Sequence, residues 1–407
     1  MIINADLHIH SKYSMATSKS MDLNTIGTEA SKKGIDVVGT GDCLHPMWLE
    51  EIKNASTDDS TIKIENTHFV LTTEVEDINR VHHLLILPSI SKAEELAERI
   101  GKQGNLTSDG RPSVKMDGCE IAEIGKDVEA LIGPSHAFTP WTAIYAAHDS
   151  LQNCYKDMTG YISFLELGLS ADTDYADRIK ELHELTFLTN SDAHSPWPNK
   201  LAREFTQFSV PEISFDGIKS AILRKNKYGP TLNVGFYPEE GKYNQTACTR
   251  CFQHFTLESA KENNWRCPED RGQIKKGVYD RINELADFDA PMHPSHRPDY
   301  IHLIPLSEII MMALGHSSIH TKGVQQAWNK LITDFGSEVA VLLDTDIERL
   351  KVVDEKIVNA ISAFRDGKLI IHAGGGGKYG WIELPEKEKQ VKAQNTESSN
   401  QSRLFDY

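Results

Sequence analysis

"MIINADLHIHS", residues 1–11, is the stretch on which the reading of this chain turns. A short apolar run leads to Asp6, then His8, His10 and Ser11. On a strand, residues i and i+2 point to one side, so both rings can serve one metal or two neighbouring ones. Alone the pair carries little weight. With 17 histidines in 407 residues, about one H-x-H pair arises by chance. Its weight comes from its company.

Apolar strand-like runs recur along the first half, and each leads to a metal-ligating side chain. "IDVVGTGD" ends at Asp42, "TIKIENTHFVLTTEVE" carries Glu74, "RVHHLLILP" carries His82 and His83, and "EALIGPSHA" carries His136. "LTFLTNSDAHS" ends in Asp192 and His194, repeating the i, i+2 device. Amphipathic stretches such as "MDLNTIGTEASKKG" and "ISKAEELAERIGKQG" lie between several of these runs and read as helices. Alternating βα units predict an α/β fold with a mainly parallel, buried sheet. Six or seven strand signals in about 230 residues point to a barrel, whose C-terminal strand ends converge on one chemical face. Histidine and carboxylate are the ligands that hard-to-borderline divalent metals prefer.

Composition narrows the classes. Hydrophobic residues make up 39% and charged residues 25%, as in ordinary globular proteins. No run is long and apolar enough to span a membrane, and no signal-like sequence opens the chain. The cytosol is the default compartment, with no membrane partner expected. A net charge of −16 argues mildly against nonspecific nucleic-acid binding. It does not exclude a nuclease, because bound divalent cations reverse the field of a carboxylate-rich site.

Four stretches are expected: a barrel over 1–235, a cysteine module over 236–276, a helical part over 277–385 and a flexible tail over 386–407. Cys248 and Cys251 form C-x2-C, and Cys267 begins a second half whose fourth position is Asp270. A Cys3Asp zinc site, or His254 as fourth ligand, is the expectation. The module also carries Arg250, Arg266, Arg271, Lys275 and Lys276. "HPSHRPDY" and "GGGGKYGW" offer Arg297, Lys378, Tyr379 and Trp381 as charge and stacking rings for DNA. The four glycines would let a phosphate or base approach the backbone.

Taken together, "DLHIHS", "GTGD", the strand-end Glu, "HHLLIL", "SHAF" and "SDAHS" resemble the PHP (polymerase and histidinol phosphatase) family. That resemblance implies a distorted (β/α)7 barrel holding two or three divalent ions (Zn2+, Mn2+ or Mg2+). The implied ligands are His8, His10, Asp42, Glu74, His83, His136, Asp192 and His194, with Glu74 as the bridge. His82 competes with His83, and spacing does not separate them. Two departures stand out. Cys43 occupies a position where many members carry His, so His45 is the expected substitute. The loop "KYSMATSK" has no ligand, so its Lys12, Tyr13 and Ser14 are assigned to the DNA backbone instead.

With "CTRC", "RCPED", "KKGVYDRINELAD", "HRPDYIHLIPLSEII" and "KYGWIEL" added, nearly the whole chain is similar to the endonuclease Q family. The resemblance implies a PHP barrel joined to a zinc-ribbon-like module and a helical DNA-binding domain. It implies cleavage 5′ to deaminated bases (uracil, hypoxanthine, xanthine) and abasic sites. Asp192 is then the most sensitive position, as ligand and proton acceptor, with His194 and His136 as donors to the leaving oxygen. The tail "QSRLFDY" places Gln401, Leu404 and Phe405 in a sliding-clamp ligand pattern. The alternatives are a PHP phosphatase acting on a small phosphate ester, and a non-catalytic DNA- or clamp-binding protein.

Overall fold

A computed structural model describes residues 1–384. Ten strands build the first part: β1 (Ile2–Asp6), β2 (Val37–Gly39), β3 (Ile62–Ile64), β4 (Thr67–Glu76), β5 (His82–Leu87), β6 (Leu131–Pro134), β7 (Phe164–Glu166), β8 (Thr186–Leu188), β9 (Phe205–Ser209) and β10 (Gly229–Gly235). The main sheet runs β10-β9-β1-β2-β4-β5-β6, with β3 on β4. The parallel pair β7–β8 bridges the gap from β6 back to β9. Ser163 N donates to Ile132 O at 3.3 Å on one side, and Thr189 N donates to the Thr206 hydroxyl at 2.8 Å on the other. The sheet thereby curls into a distorted barrel.

The sheet is mixed, not mainly parallel. β1–β2 and β2–β4 are parallel, but β4–β5, β5–β6 and β1–β9 are antiparallel. The cause lies in the connections. Residues 77–81 join β4 to β5, and a link that short makes a hairpin, because a parallel crossover needs a dozen residues or more. The sense of β5 has a consequence for the site. His82 and His83 stand at the start of their strand, yet lie at the same end of the barrel as the C-terminal ends of β1, β2 and β4.

Alternation sorts the side chains of β5 into two layers. Leu84 and Ile86 join Ala5, Leu7, Val70 and Phe208 in the barrel interior. Leu85 and Leu87 point outward beneath the helices, with Ile121 and Ala93. Helix Phe215–Ile222 closes the base of the barrel, the end away from His8 and His10.

The rest of the described residues pack onto this barrel. After β11 (Ala247–Cys248) and β12 (Ile274–Lys275) come helix Val278–Leu285 and then β13 (Asp299–His302), which pairs in parallel with β10 and extends the main sheet. Helices Leu306–Leu314, Lys322–Phe335 and Glu355–Arg365 follow, then the hairpin β14 (Ile370–His372) and β15 (Trp381–Glu383). The buried pair Lys33–Glu338, 2.6 Å apart, ties the first barrel helix to the C-terminal helices. Glu338 also accepts from Leu306 N and Trp328 Nε1, so both oxygens of the buried carboxylate are engaged. Among the described residues, no helix is long and apolar enough to cross a membrane. Gln401, Leu404 and Phe405 lie outside the described residues.

One half-buried acid at this junction sets a pH trend. Burial, with Glu308 nearby, pushes Glu240 up to about 8. A carboxyl raised on folding binds its proton more tightly in the native state, so stability falls as pH rises from about 4.5 to about 8. Glu240→Gln is expected to melt above the parent at pH 9, with the gap closing toward pH 4.5. Thermal melts across that range check it, and a pH-independent difference would contradict the assignment.

Candidate metal centre

The backbone at the barrel mouth is drawn tight before any side chain is considered. A Cβ on Gly41 would lie 2.1 Å from Ile9 O, and Gly41 itself has φ +60°. Only glycine allows the segment after β2 to approach the His8–His10 segment this closely. Asp42, His136 and Asp192 follow strand ends with φ of 50°, 28° and 48°. Non-glycine residues held in the left-handed region are costly and cluster where function over-determines the backbone. Here the turns swing three chemistry-bearing side chains over the mouth.

Glu74, wholly buried, is the centre of the cluster. Its Oε1 lies 3.1 Å from His136 Nε2, 3.1 Å from His82 Nδ1 and 3.5 Å from His8 Nε2. Its Oε2 lies 3.5 Å from His10 Nε2 and 3.3 Å from Arg111 Nη1. Asp192 Oδ1 stands 3.2 Å from His10 Nε2 and 3.9 Å from His8 Nε2. Three overlapping groups have ligand atoms within 4.8 Å of one another: His8/His10/Glu74, His10/Asp192/His194 and Glu74/His82/His136.

The donor set fits divalent cations on a specific observation. His8 Nε2, His10 Nε2, His136 Nδ1 and Asp192 Oδ1 are buried and have no hydrogen-bonding partner. Orphaned buried polar atoms are rare and costly. Here His8 Nε2, His10 Nε2 and Asp192 Oδ1 converge in one place, and the outer nitrogens of His8 and His10 are already occupied. His8 Nδ1 contacts Glu166 Oε2 at 2.8 Å and His10 Nδ1 contacts Asp42 Oδ1 at 2.9 Å. Such carboxylate partners fix the tautomer and aim the free nitrogen. Burial alone would depress both histidines; Glu166 and Glu74 outweigh it for His8, and Asp42 with Asp192 pushes His10 up to about 10.

Several residues stand elsewhere than the sequence suggested. Adjacent strand residues face opposite ways, so β5 sends His82 into the mouth and His83 outward, where its Nδ1 meets the Tyr155 hydroxyl at 2.8 Å. Asp42 spends its oxygens on His10, Ser11 and Ser14, so it orients His10 instead of offering a ligand atom. His45 stacks on Tyr13, ring centroids 4.5 Å apart, outside every cluster. The thiol of Cys43 is wholly buried in the hydrophobic core. Two contributors were missed from sequence. Glu166, at the end of β7, also accepts from His136 N at 2.9 Å. Its signal was present in "FLELG", a strand-end acid like the others. Arg111 comes from a loop with no strand pattern and left none.

Glu166 gives a direct test. Glu166→Gln keeps the shape and weakens the hold on His8. Loss of such an outer partner costs about 10–100-fold in metal affinity. Calorimetric titration with Mn2+ should show a loss of that order, and an unchanged isotherm would remove Glu166 from the centre.

Beyond the barrel, Cys248, Cys251, Cys267 and Asp270 bring their ligand atoms within 4.8 Å of one another. Cys251 Sγ and Cys267 Sγ are 3.7 Å apart, close to the ~3.8 Å edge of a tetrahedron with Zn–S bonds of about 2.3 Å. His254 is not part of the group. The glycine loop packs onto this module: a Cβ on Gly376 would meet Cys248 O at 2.1 Å. Its glycines therefore serve protein packing, with Lys378 and Tyr379 exposed at the tip. Trp381 is partly exposed and stacks on His372 at 3.7 Å. Arg271 is exposed, Lys12 and the Tyr13 hydroxyl engage Glu51, and Arg297 is buried against Asp177.

Comparisons with known proteins agree with this architecture. Residues 305–368 match the family described as the MJ0043 C-terminal domain. The uncharacterized protein MJ0043 of Methanocaldococcus jannaschii is 45% identical over 267 residues, which are 64% of this chain and 33% of that protein. The chain thus spans about a third of that relative. The uncharacterized protein YqxK of Bacillus subtilis is 31% identical over 405 residues, 94% of this chain and 99% of that one. The crystal structure of the lesion-specific endonuclease PfuEndoQ of Pyrococcus furiosus superimposes with a TM-score of 0.91 at 47% identity, covering 97% of this chain and 98% of that one. A complex of Endonuclease Q with a 27-mer duplex, carrying an abasic lesion at the active site, gives 0.89 at 48% identity over 95% and 97%. A likeness of that extent, barrel, cysteine module and helices included, makes the chain a member of the endonuclease Q family.

Proposed function

We propose that this chain is a DNA repair endonuclease that hydrolyses the phosphodiester bond 5′ to deaminated bases (uracil, hypoxanthine, xanthine) and abasic sites. The observation that carries the reading is the convergence of three orphaned polar atoms, His8 Nε2, His10 Nε2 and Asp192 Oδ1, at the mouth of a barrel that overlays on an endonuclease Q holding lesion DNA at its active site. His8, His10, Glu74, His82, His136, Asp192 and His194 would hold two or three divalent ions, either Zn2+, Mn2+ or Mg2+. When bound, such ions polarise the phosphate, ready a water for attack and stabilise the leaving oxygen.

The chain's own groups do the rest. Glu74 sits between the histidines and stays ionised, held well below the usual carboxylate range despite its burial by His82 and His8. Arg111, half-buried against Glu74, puts a fixed positive charge at the mouth for the scissile phosphate. The His194 Nδ1–H donates to Asp192 O at 3.0 Å, which leaves Nε2 as its functional nitrogen. His194 and His136 are the assigned proton donors to the leaving oxygen.

Beside the mouth lies an open cavity of about 720 Å³, lined by Lys12, Tyr13, Lys19, His45 and Thr107. Its volume suits an extruded nucleotide, and the stacked Tyr13–His45 pair offers a ring face. A deaminated or missing base costs less to extrude than a paired one, which favours lesions. The cysteine cluster takes one structural Zn2+ in this reading, and Arg271, Lys378, Tyr379 and Trp381 line the duplex. The tail residues Gln401, Leu404 and Phe405 dock a sliding clamp.

Labelled duplexes carrying uracil, hypoxanthine, xanthine, an abasic site or no lesion, incubated with Mn2+ or Mg2+, test the proposal. Nicks 5′ to the lesion are expected, with the undamaged duplex intact. Binding without nicking would mean a non-catalytic site. Hydrolysis of a small phosphate ester alone would mean a phosphatase. Deleting residues 400–407 should abolish clamp capture, and unchanged capture would remove that partner.

A further inference from the structure

On the far side of β5 from the catalytic mouth lies a second set of ligand-type side chains. Asp77, His83 and Cys154 are all buried, and their ligand atoms lie within 4.8 Å of one another. We propose that they form a separate buried site for one thiophilic divalent cation of the Zn2+ type. The proposal does not depend on the DNA reading.

Hydrogen bonding leaves a gap where such an ion would sit. Asp77 Oδ1 is fully engaged, accepting from Asn79 N and Val81 N at 2.8 Å each. Its Oδ2 is buried and has no hydrogen-bonding partner. His83 Nε2 faces it at 3.4 Å and also has none. That separation is long for a hydrogen bond, yet it matches the ~3.3 Å edge of a tetrahedron with bonds of about 2.0 Å to nitrogen and oxygen. On the other edge of the ring, His83 Nδ1 contacts the Tyr155 hydroxyl at 2.8 Å. A ligating histidine usually keeps its second nitrogen in such a bond.

The third corner is supplied from a neighbouring segment. Cys154, on helix Leu151–Tyr155, has its thiol pushed up by burial and then by Asp77, so only a cation would hold it as thiolate there. A Cβ on Gly118 would come within 2.6 Å of Cys154 Sγ and 2.9 Å of His83 Cε1. Glycine at 118 therefore leaves the room in which ring and thiol lie side by side. His148 is close enough to feel the charge of Asp77 and His83, and its Nε2 is buried without a partner. It stands near the group but outside the set whose ligand atoms lie within 4.8 Å of one another. Thiolate, imidazole and one carboxylate form a donor set that suits zinc.

The position gives the ion a purpose. It would pin the turn between β4 and β5 to helix Leu151–Tyr155. The inner face of that same hairpin carries Glu74 and His82. A staple behind the hairpin would hold those two side chains in register without touching substrate.

Metal content of the purified full chain reads the proposal directly. After gel filtration with ZnSO4 present, Cys154→Ser and His83→Gln are each expected to hold one zinc fewer per chain than the parent. Cys119→Ser, a buried cysteine outside the cluster, is expected to hold the parental number. With Co2+ in place of Zn2+, Cys154→Ser should lose one thiolate's share of the thiolate-to-cobalt absorption. If either variant fails to fold, zinc-edge anomalous scattering from crystals of the parent decides. A peak among Asp77, His83 and Cys154 supports the site. Its absence, with metal found elsewhere in the chain, would leave a plain Tyr155–His83–Asp77 contact and overturn the proposal.

Discussion

Asp192→Asn is expected to abolish nicking while leaving lesion-duplex binding close to the parental level. Asp192 is placed by a left-handed turn at φ 48°, with Oδ1 aimed at His10 and His8 and without a hydrogen-bonding partner. His10 and His8 hold its carboxyl below the ordinary range in spite of burial, so the wild-type side chain is an anion. Asparagine keeps the volume but brings an amide NH2 and no charge to that spot. Groups that bind and balance catalytic cations are worth several kcal/mol, which is a loss of about 10³-fold or more in rate. Single-turnover nicking of a uracil duplex measures the first half, and a gel-shift titration the second. Activity within about tenfold of the parent would remove Asp192 from the centre. Loss of binding together with nicking would mean that the variant fails to hold DNA, and Asp192 would then act in substrate binding instead of in the chemical step.

How much of this was legible in the sequence depends on what each residue needed. His8, His10, Asp192 and His194 could be read because an i, i+2 pair at a strand end needs no tertiary information to share a face. Glu74 and His136 could be read because each stands at or just beyond the end of an apolar run. His82 against His83 could not be settled, because the choice rests on which face of β5 lines the barrel. That face is fixed by pairing with β4 and β6. Asp42 sits where a ligand would, but two serines, Ser11 and Ser14, capture its Oδ2. Their hydroxyls look like ordinary loop residues in the string. The antiparallel turn into β5 was readable in principle from the five residues between the strands. It was masked by the dominant βα rhythm around it. The glycines of "GGGGKYGW" failed for a related reason: close approach was correctly inferred, but the approaching group is the backbone at Cys248.

Arg297→Ala is expected to cost about 3–5 kcal/mol of stability, the usual penalty for breaking a buried pair by removing one partner. Sequence placed Arg297 on DNA; the fold places it inside. Its side chain is 1% exposed and that of Asp177 0%. Nε and Nη2 reach Asp177 Oδ2 and Oδ1 at 2.9 Å each, while Nη1 donates to Leu185 O at 3.0 Å. The guanidinium also lies 3.2 Å from the Phe187 ring centroid. Alanine would leave Asp177 buried with His293 Nδ1 as its remaining side-chain partner, at 2.8 Å. It would also uncouple the 293–297 segment from the barrel. Thermal unfolding should therefore fall by several degrees, and Arg297→Lys should recover only part, since an ammonium cannot reproduce the planar fork. The salt dependence of DNA affinity separates this role from a phosphate contact. Each phosphate neutralised contributes close to one unit of slope in log affinity against log salt. The slope should stay at the parental value in Arg297→Ala and drop by about one in Lys378→Ala, whose side chain is exposed. A normally stable Arg297→Ala protein with the lower slope would return Arg297 to the DNA surface.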